Sequence, residues 1–207
     1  MENQALQKCD EYQRAILSPR HIEADVNKID KRIRPIVEAS IDSLFTDKPR
    51  GLLLLGAVGC GKTSILSIVV KEYMRRYFAE NEIPEGHFLN SYINLKFVTH
   101  AELISILRSA AAETDGIPPL ARYDWKKGII LIDDLGRGYD DSSGWNQTLQ
   151  DEFFDYRWRN KFPTFMTTNY NKEELLSWPG WERTIDRIAD PDWLTAVVVP
   201  GDSRRRG

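Results

Sequence analysis

The chain has 207 residues, 42% hydrophobic and 29% charged, an ordinary globular mix that suits one α/β domain and is too short for two. Its formal net charge of −3 excludes a globally basic nucleic-acid binder, but not a local basic track in an assembled oligomer. No apolar run approaches the roughly 18 residues that span a membrane and no signal segment precedes the charged start, so the cytoplasm is the expected compartment.

Residues 1–50 contain no β-like run. From Ile22 the apolar positions fall at Val26, Ile29, Ile33, Ile36, Val37, Ile41 and Leu44, a spacing that predicts an amphipathic helix. Pro35 is expected to kink or divide it. Packing on the core would explain this stripe; a partner-docking arm is the alternative. The expected organisation is a helical N-terminal extension over 1–49 and a main domain over 50–207. Asp47-Lys48-Pro49-Arg50-Gly51 leads into the first strand, the run Leu52-Leu53-Leu54-Leu55.

Gly56-Ala57-Val58-Gly59-Cys60-Gly61-Lys62-Thr63 follows that run directly. It precedes Ser64-Ile65-Leu66-Ser67-Ile68-Val69-Val70, the start of a helix expected to reach about Phe78. Strand, glycine-rich loop and helix form the setting that a phosphate-binding P-loop requires. The glycines let the backbone turn tightly with its N–H groups aimed at phosphate oxygens, and the helix adds its positive N-terminal end. Lys62 can reach the β- and γ-phosphates, and the Thr63 hydroxyl can ligate Mg²⁺. A nucleoside triphosphate is the expected ligand, held by Gly56 through Ser64. Cys60 and Cys9 are too few for a disulfide framework, and no His/Cys cluster suggests zinc.

Phe88–Val98 reads as a second strand with ragged edges. Thr99-His100-Ala101-Glu102 then predicts a helix start, with Thr99 as N-cap and Glu102 three residues on. Leu103, Ile106 and Leu107 form its buried face, and Gly116-Ile117-Pro118-Pro119 ends it. Gly128-Ile129-Ile130-Leu131-Ile132-Asp133-Asp134 is a buried strand ending in two acids. A Gly/Asp/Ser-rich loop over 135–144 leads to a helix over 146–160 and a short strand, Thr164–Thr168. Helices over 171–178 and 182–189 precede the last strand, Leu194–Val199. Apolar strands alternating with helices predict a mainly parallel sheet of five strands covered on both faces.

A carboxylate at the C-terminal edge of a central parallel strand lies beside the phosphate site. Asp133 is therefore the expected Mg²⁺ ligand together with Thr63, and Asp134 is placed to orient or deprotonate an attacking water. On their own, paired acids after a strand also suit a helix cap or a solvated turn. Asn169 ends the next strand, where its amide could position that water, although Asn there is also a common turn former. Arg183 and Arg187 lie one turn apart on a predicted helix. Surface ion pairs are the plain reading of such a pair. The rest of the core offers no obvious cation for charge developing on the γ-phosphate, however, so Arg187 is the preferred arginine finger in trans and Arg183 the second candidate.

These pieces in this order resemble an AAA+ ATPase, and specifically the DnaC/DnaI helicase loaders and the IstB transposition ATPases. The resemblance covers roughly residues 50–205. Its most specific parts are Leu131-Ile132-Asp133-Asp134-Leu135-Gly136 and Tyr156-Arg157 followed by Pro163-Thr164-Phe165-Met166-Thr167-Thr168-Asn169. Val98-Thr99-His100-Ala101-Glu102-Leu103 also looks like the helix start after the second strand in these proteins. On that likeness Lys62 and Thr63 match Walker A, Asp133 and Asp134 Walker B, Asn169 sensor 1 and Arg187 the finger. Ser203-Arg204-Arg205 looks like the late Ser-x-Arg, which makes Arg205 the sensor-2 candidate.

The resemblance implies ATP and Mg²⁺ as cofactors and hydrolysis to ADP and phosphate. It further implies nucleotide-dependent self-association into an oligomer or spiral, binding of single-stranded DNA, and delivery of a replicative helicase. The sequence departs from the family in having only about 50 helical residues before the core and no segment for the helical lid after the last strand. A compact protein of this kind would suit a phage or mobile element. An IstB-like transposase-assisting ATPase and a nucleotide-gated scaffold are the alternatives. Lys96, Arg108, Lys126 and Lys127 are candidate DNA-phosphate contacts. Trp125, Trp145, Trp158, Trp178, Trp181 and Trp193 read mostly as core or interface residues.

Overall fold

A computed structural model describes residues 2–81, 94–112, 128–136 and 144–201. The run of leucines forms β1 (Gly51–Leu55), every residue of it buried. It lies between β4 (Thr164–Thr168) and β5 (Leu194–Val198), while β3 (Ile129–Leu135) lies between β4 and β2 (Leu95–Thr99). The order is β2-β3-β4-β1-β5 and every pairing is parallel, as the unbroken apolar runs predicted. Where β1 begins, a Cβ on Gly51 would fall 1.8 Å from the Thr164 carbonyl oxygen, so the close approach of β1 and β4 requires glycine.

Successive strand residues face opposite sides of the sheet, and two cores result. Leu52, Leu54, Leu131 and Phe165 face the long helix α4 (Lys62–Glu80) and the N-terminal helices. Leu53, Leu55, Ile130, Ile132 and Met166 face α5 (His100–Ala112), α6 (Trp145–Arg159), α7 (Lys172–Leu176) and α8 (Glu182–Ile188). Helix α5 starts as its sequence predicts. Thr99 and Glu102 bond reciprocally, the Thr99 N–H to Glu102 Oε2 at 2.7 Å and the Glu102 N–H to Thr99 Oγ1 at 3.2 Å.

The N-terminal stretch differs from one long helix. It comprises α1 (Glu2–Ile16), α2 (Pro19–Ile22), a 3₁₀ turn at Val26–Lys28 and α3 (Arg34–Ser43). Pro35 lies in the first turn of α3 rather than at a kink, where its missing N–H leaves no helical bond unmade. Ile29, Ile33, Val37 and Ile41 are buried as their spacing predicts, yet the first two lie before the helix begins, and Ile36 of the same stripe is exposed. Turn and helix deliver their apolar side chains to one core, together with Cys9 and Tyr12 of α1. The second strand is shorter than Phe88–Val98: β2 begins at Leu95, and 88–93 lie outside the described residues.

Candidate functional site

The site gathers at the C-terminal ends of β1, β3 and β4. The loop from Gly56 through Gly61 joins β1 to α4, and Gly61, in left-handed conformation (φ 106°), is the residue before the first turn of α4. Gly56 has φ 150°, and a Cβ there would lie 2.8 Å from the Val199 carbonyl oxygen. Ala57 and Val58 are exposed at the loop tip, whereas Cys60 is buried beneath it. Lys62 is only 5% exposed. Its ammonium donates to the carbonyls of Gly56 and Ala57 and to Asn169 Oδ1, each at 2.8 Å.

Thr63 and Asp133 meet one residue further into the helix. The hydroxyl of Thr63 donates to the Asp133 carboxylate, 3.0 Å from both oxygens, and the Thr167 hydroxyl donates to Asp133 Oδ1 at 2.6 Å. Asp133 is 8% exposed, and burial pushes its pKa up, although the Thr167 and Thr63 hydrogen bonds act against that rise. Thr167 also accepts from the Asp134 N–H at 2.9 Å, so one hydroxyl ties down both acids.

Asp134 behaves differently from its neighbour. The β3–β4 register shifts between Ile132 and Leu135, and Asp134 has φ 56°, a conformation that Asp tolerates better than most side chains. This irregularity leaves its carboxylate exposed, where Oδ1 accepts from Asn169 Nδ2 at 3.2 Å. Asn169 thus bridges Lys62 and Asp134. The five polar residues read from the sequence (Lys62, Thr63, Asp133, Asp134 and Asn169) form two adjoining networks. One hydroxyl and one buried carboxylate at Thr63 and Asp133 are hard oxygen donors, a set that fits Mg²⁺ completed by water and phosphate.

Beside the loop opens a cavity of about 190 Å³. Ile29, Ile33, Ile65 and Ile68 are among its apolar walls, Ser64 and Gly61 border it on the loop side, and Glu23–Asp25 close the far side. Sequence reading assigned Ser64 to the site but missed the 23–33 wall, because a 3₁₀ turn between short helices has no periodicity to reveal it. Thr167 was missed as well; it is one of three buried threonines in β4, and nothing local in Thr164–Thr168 singles it out.

The two arginines of α8 are placed unlike each other. Arg187 is 14% exposed and turns toward α6 of its own chain, with Nη2 2.5 Å from Asp155 Oδ1 and its guanidinium 5.9 Å from the centre of the Trp158 ring. Arg183 is exposed and has no partner among the described residues. Arg205, Lys126, Lys127 and Trp125 lie outside the described residues. Arg108 donates to Asn146 Oδ1 at 2.5 Å, while Lys96 lies partly buried on β2. Trp178, Trp181 and Trp193 are core residues, Trp158 is partly buried and Trp145 is exposed. Among the described residues no helix is long and apolar enough to cross a membrane.

A parallel sheet in this order, with a glycine-rich loop and paired acids at its C-terminal edge, defines a P-loop NTPase fold of AAA+ type. No protein-family model matches the sequence, and no curated protein matches it. Solved structures do. DnaI is similar with a TM-score of 0.62 and 21% identity, over 91% of this chain and 94% of DnaI. The DnaC helicase loader is similar with a TM-score of 0.56 and 16% identity, over 88% of this chain and 100% of that one. Replication initiator DnaA bound to AMPPCP and single-stranded DNA gives 0.62 and 14%, over 90% of this chain and 51% of DnaA. At these identities the likeness establishes the fold alone, one shared with DnaI, the DnaC helicase loader and DnaA.

Proposed function

We propose that this chain is a Mg²⁺-dependent ATPase that assembles on single-stranded DNA and delivers a replicative helicase. The observation that carries the reading is the joined placement of Lys62, Thr63, Asp133, Asp134 and Asn169 at the end of the sheet. Phosphate oxygens replace the Gly56 and Ala57 carbonyls as acceptors for Lys62, and loop N–H groups with the start of α4 hold the rest of the triphosphate. The base occupies the cavity behind Cys60 and Gly61, against the isoleucine walls and beside polar groups such as Asp25, Lys28 and Ser64. Bound Mg²⁺ would neutralise charge between the β- and γ-phosphates, held by Thr63 and Asp133. Exposed Asp134 orients or deprotonates the attacking water, and Asn169 keeps that carboxylate and Lys62 in register.

Turnover is completed across a subunit boundary by α8. Arg183 is free to reach a neighbour in the described conformation; Arg187 must first leave Asp155. Mixing Arg187→Ala with Lys62→Ala subunits, and Arg183→Ala with Lys62→Ala, tests this directly. Recovery of activity on mixing identifies the arginine supplied in trans. Co-assembly without recovery in either pair would sink the trans site.

Helicase delivery draws its support from the fold shared with the DnaC loader, and DNA binding from the fold shared with a DnaA that carries single-stranded DNA. The decisive experiment is capture by a replicative helicase with ATP, set beside capture by a transposase. Retention of the transposase alone would favour the IstB-like alternative. Fluorescence anisotropy should show ATP-dependent binding to single strands that weakens with salt. Tight duplex binding without nucleotide would overturn the proposed mode.

A further inference from the structure

The wall of the base cavity formed by Glu23–Asp25 has a second side. It also borders a larger groove of about 590 Å³, floored by Ile22, Val26, Ile41 and Ile68. Helix α4 serves both spaces: Ser64, Ile65 and Ile68 line the base cavity, while Ile68 and Lys71 line the groove. Lys71 follows Ile68 by three residues, so it stands on the same face of α4, one turn further along.

The partly buried Lys71 ammonium donates to the Ile22 carbonyl at 2.7 Å and to the Ala24 carbonyl at 2.8 Å. It has no carboxylate partner among the described residues, since neighbouring Glu72 is engaged by Arg75 and Arg76. A lysine held by two carbonyls, 47 and 49 residues away in the chain, is a fastener between elements rather than a surface charge. The fastened segment is the turn from α2 into the 3₁₀ helix, which has few hydrogen bonds of its own. Those bonds are short-range, such as Ala24 N–H to His21 O at 3.1 Å, Lys28 N–H to Asp25 O at 3.0 Å, Ile29 N–H to Val26 O at 3.1 Å and Asn27 N–H to Asp25 Oδ1 at 2.9 Å, and none of these ties it to α4.

We propose that Lys71 is a positioning residue for the nucleobase: by clamping the Ile22 and Ala24 carbonyls to α4 it fixes the distance between the two walls of the base cavity. The inference rests on the nucleotide reading above and adds a residue that touches neither phosphate nor metal. Because α4 also carries Lys62 and Thr63 at its start, the clamp places the base wall in one rigid frame with the phosphate site. Loss of the clamp frees the wall and leaves the phosphate cradle intact. The loss therefore falls on ligands that have a base.

The test compares ATP with inorganic tripolyphosphate, which shares the phosphates and has no base, by equilibrium titration of the full chain. Lys71→Met keeps the aliphatic stem and removes the donors; it should weaken ATP by about tenfold and shift tripolyphosphate by less than about twofold, the scale of one or two charge-assisted hydrogen bonds. Lys71→Arg should recover most of the ATP affinity. Should the methionine variant fail to fold in a thermal melt, Lys71→Gln, with one amide donor group left, must show the same selective loss at smaller size. A variant that loses both ligands equally, or neither, overturns the proposal, because a merely structural role does not distinguish them. Wild-type protein that binds tripolyphosphate and ATP with equal affinity also overturns it. If wild type binds neither ligand, the nucleotide reading itself fails and the clamp fails with it.

Discussion

Lys62 and Arg157 are both buried cations bonded to carbonyls, and they stand at opposite ends of the same sheet. Arg157 lies on α6, 1% exposed, at the end where the strands begin. It donates to Thr164 Oγ1 at 2.8 Å, to the Gly128 carbonyl at 2.9 Å and to the Pro163 carbonyl at 2.8 Å, with its guanidinium 5.7 Å from the centre of the Phe162 ring. Burial lowers its pKa to about 9. Lys62 holds the carbonyls of a loop whose tip is open to solvent, and its third partner is a side chain, Asn169. The planar guanidinium is locked by fixed backbone that no ligand can reach; the compact ammonium holds partners that an anion can replace. Similar burial thus accompanies partners of unlike accessibility.

The sharpest way to break this contrast is to remove each cation. Lys62→Ala should abolish measurable nucleotide binding, a loss of at least about 100-fold, while the thermal melt moves by no more than about 1 kcal/mol. Arg157→Ala should do the reverse. It leaves three acceptors and a void between Phe153 and Phe162, destabilising the fold by about 4 kcal/mol, with nucleotide affinity preserved in whatever fraction stays folded. Chemical denaturation and nucleotide titration of both variants decide the matter; a Lys62 variant that unfolds, or an Arg157 variant that is stable yet inactive, would dissolve the distinction.

The two acids sharpen it at the functional end. Asp133 has its pKa raised by burial, so the folded state binds its proton more tightly than the unfolded chain does. Its contribution to stability is therefore greatest below the unfolded value and declines as pH rises through the folded one. Asp133→Asn removes this cost and should raise the melting temperature at neutral pH while the Mg²⁺-dependent part of ATP affinity disappears. Asp134→Asn, at an exposed position, should leave the melt and Mg·ATP affinity alone and slow hydrolysis. Identical behaviour of the two variants would show their roles to be misassigned.

The smallest effect is expected at Asp190, which joins the ends of α6 and α8. Lys161 Nζ at 2.8 Å, Trp158 Nε1 at 2.6 Å and the Asp192 N–H at 2.9 Å hold its pKa near about 2, against an ordinary 3.8. A depressed carboxyl stabilises the fold above its unfolded value and loses that contribution as pH falls toward about 2. Asp190→Asn should lower the melt modestly at neutral pH, with the gap from wild type closing on acidification across that window. A gap independent of pH would refute the ionic origin.

The phosphate end was the more legible of the two. Gly56 through Thr63 and Asp133 announce themselves because each follows an apolar run directly, and Asp134 and Asn169 lie at or just past the same ends of β3 and β4. Arg157 lay inside a recognised Tyr-Arg pair, but nothing local shows that it closes the opposite end of the sheet; that follows only from where β3 and β4 begin. The Ile22–Leu44 stripe gave Ile29, Ile33, Val37 and Ile41 as buried correctly, but Ile36 is exposed and only the part from Arg34 is α-helical, since a 3₁₀ turn and a helix can present apolar side chains at similar spacing. The Arg187–Asp155 pair spans 32 positions and two helices, and Lys71 reaches back 49 residues, contacts that no local pattern encodes.

Helix α4 runs for 19 residues from the phosphate loop to Glu80, and all three N-terminal helices rest on it. Near its far end Phe78 meets Tyr12 of α1, ring centres 5.3 Å apart. Phe78 stands about 24 Å along the axis from Lys62. A helix anchored at the phosphate loop is a lever: a tilt of about 5° there would carry Phe78 through about 2 Å. Any such tilt on filling or emptying the site would reach α1 as a displacement larger than a side-chain adjustment absorbs.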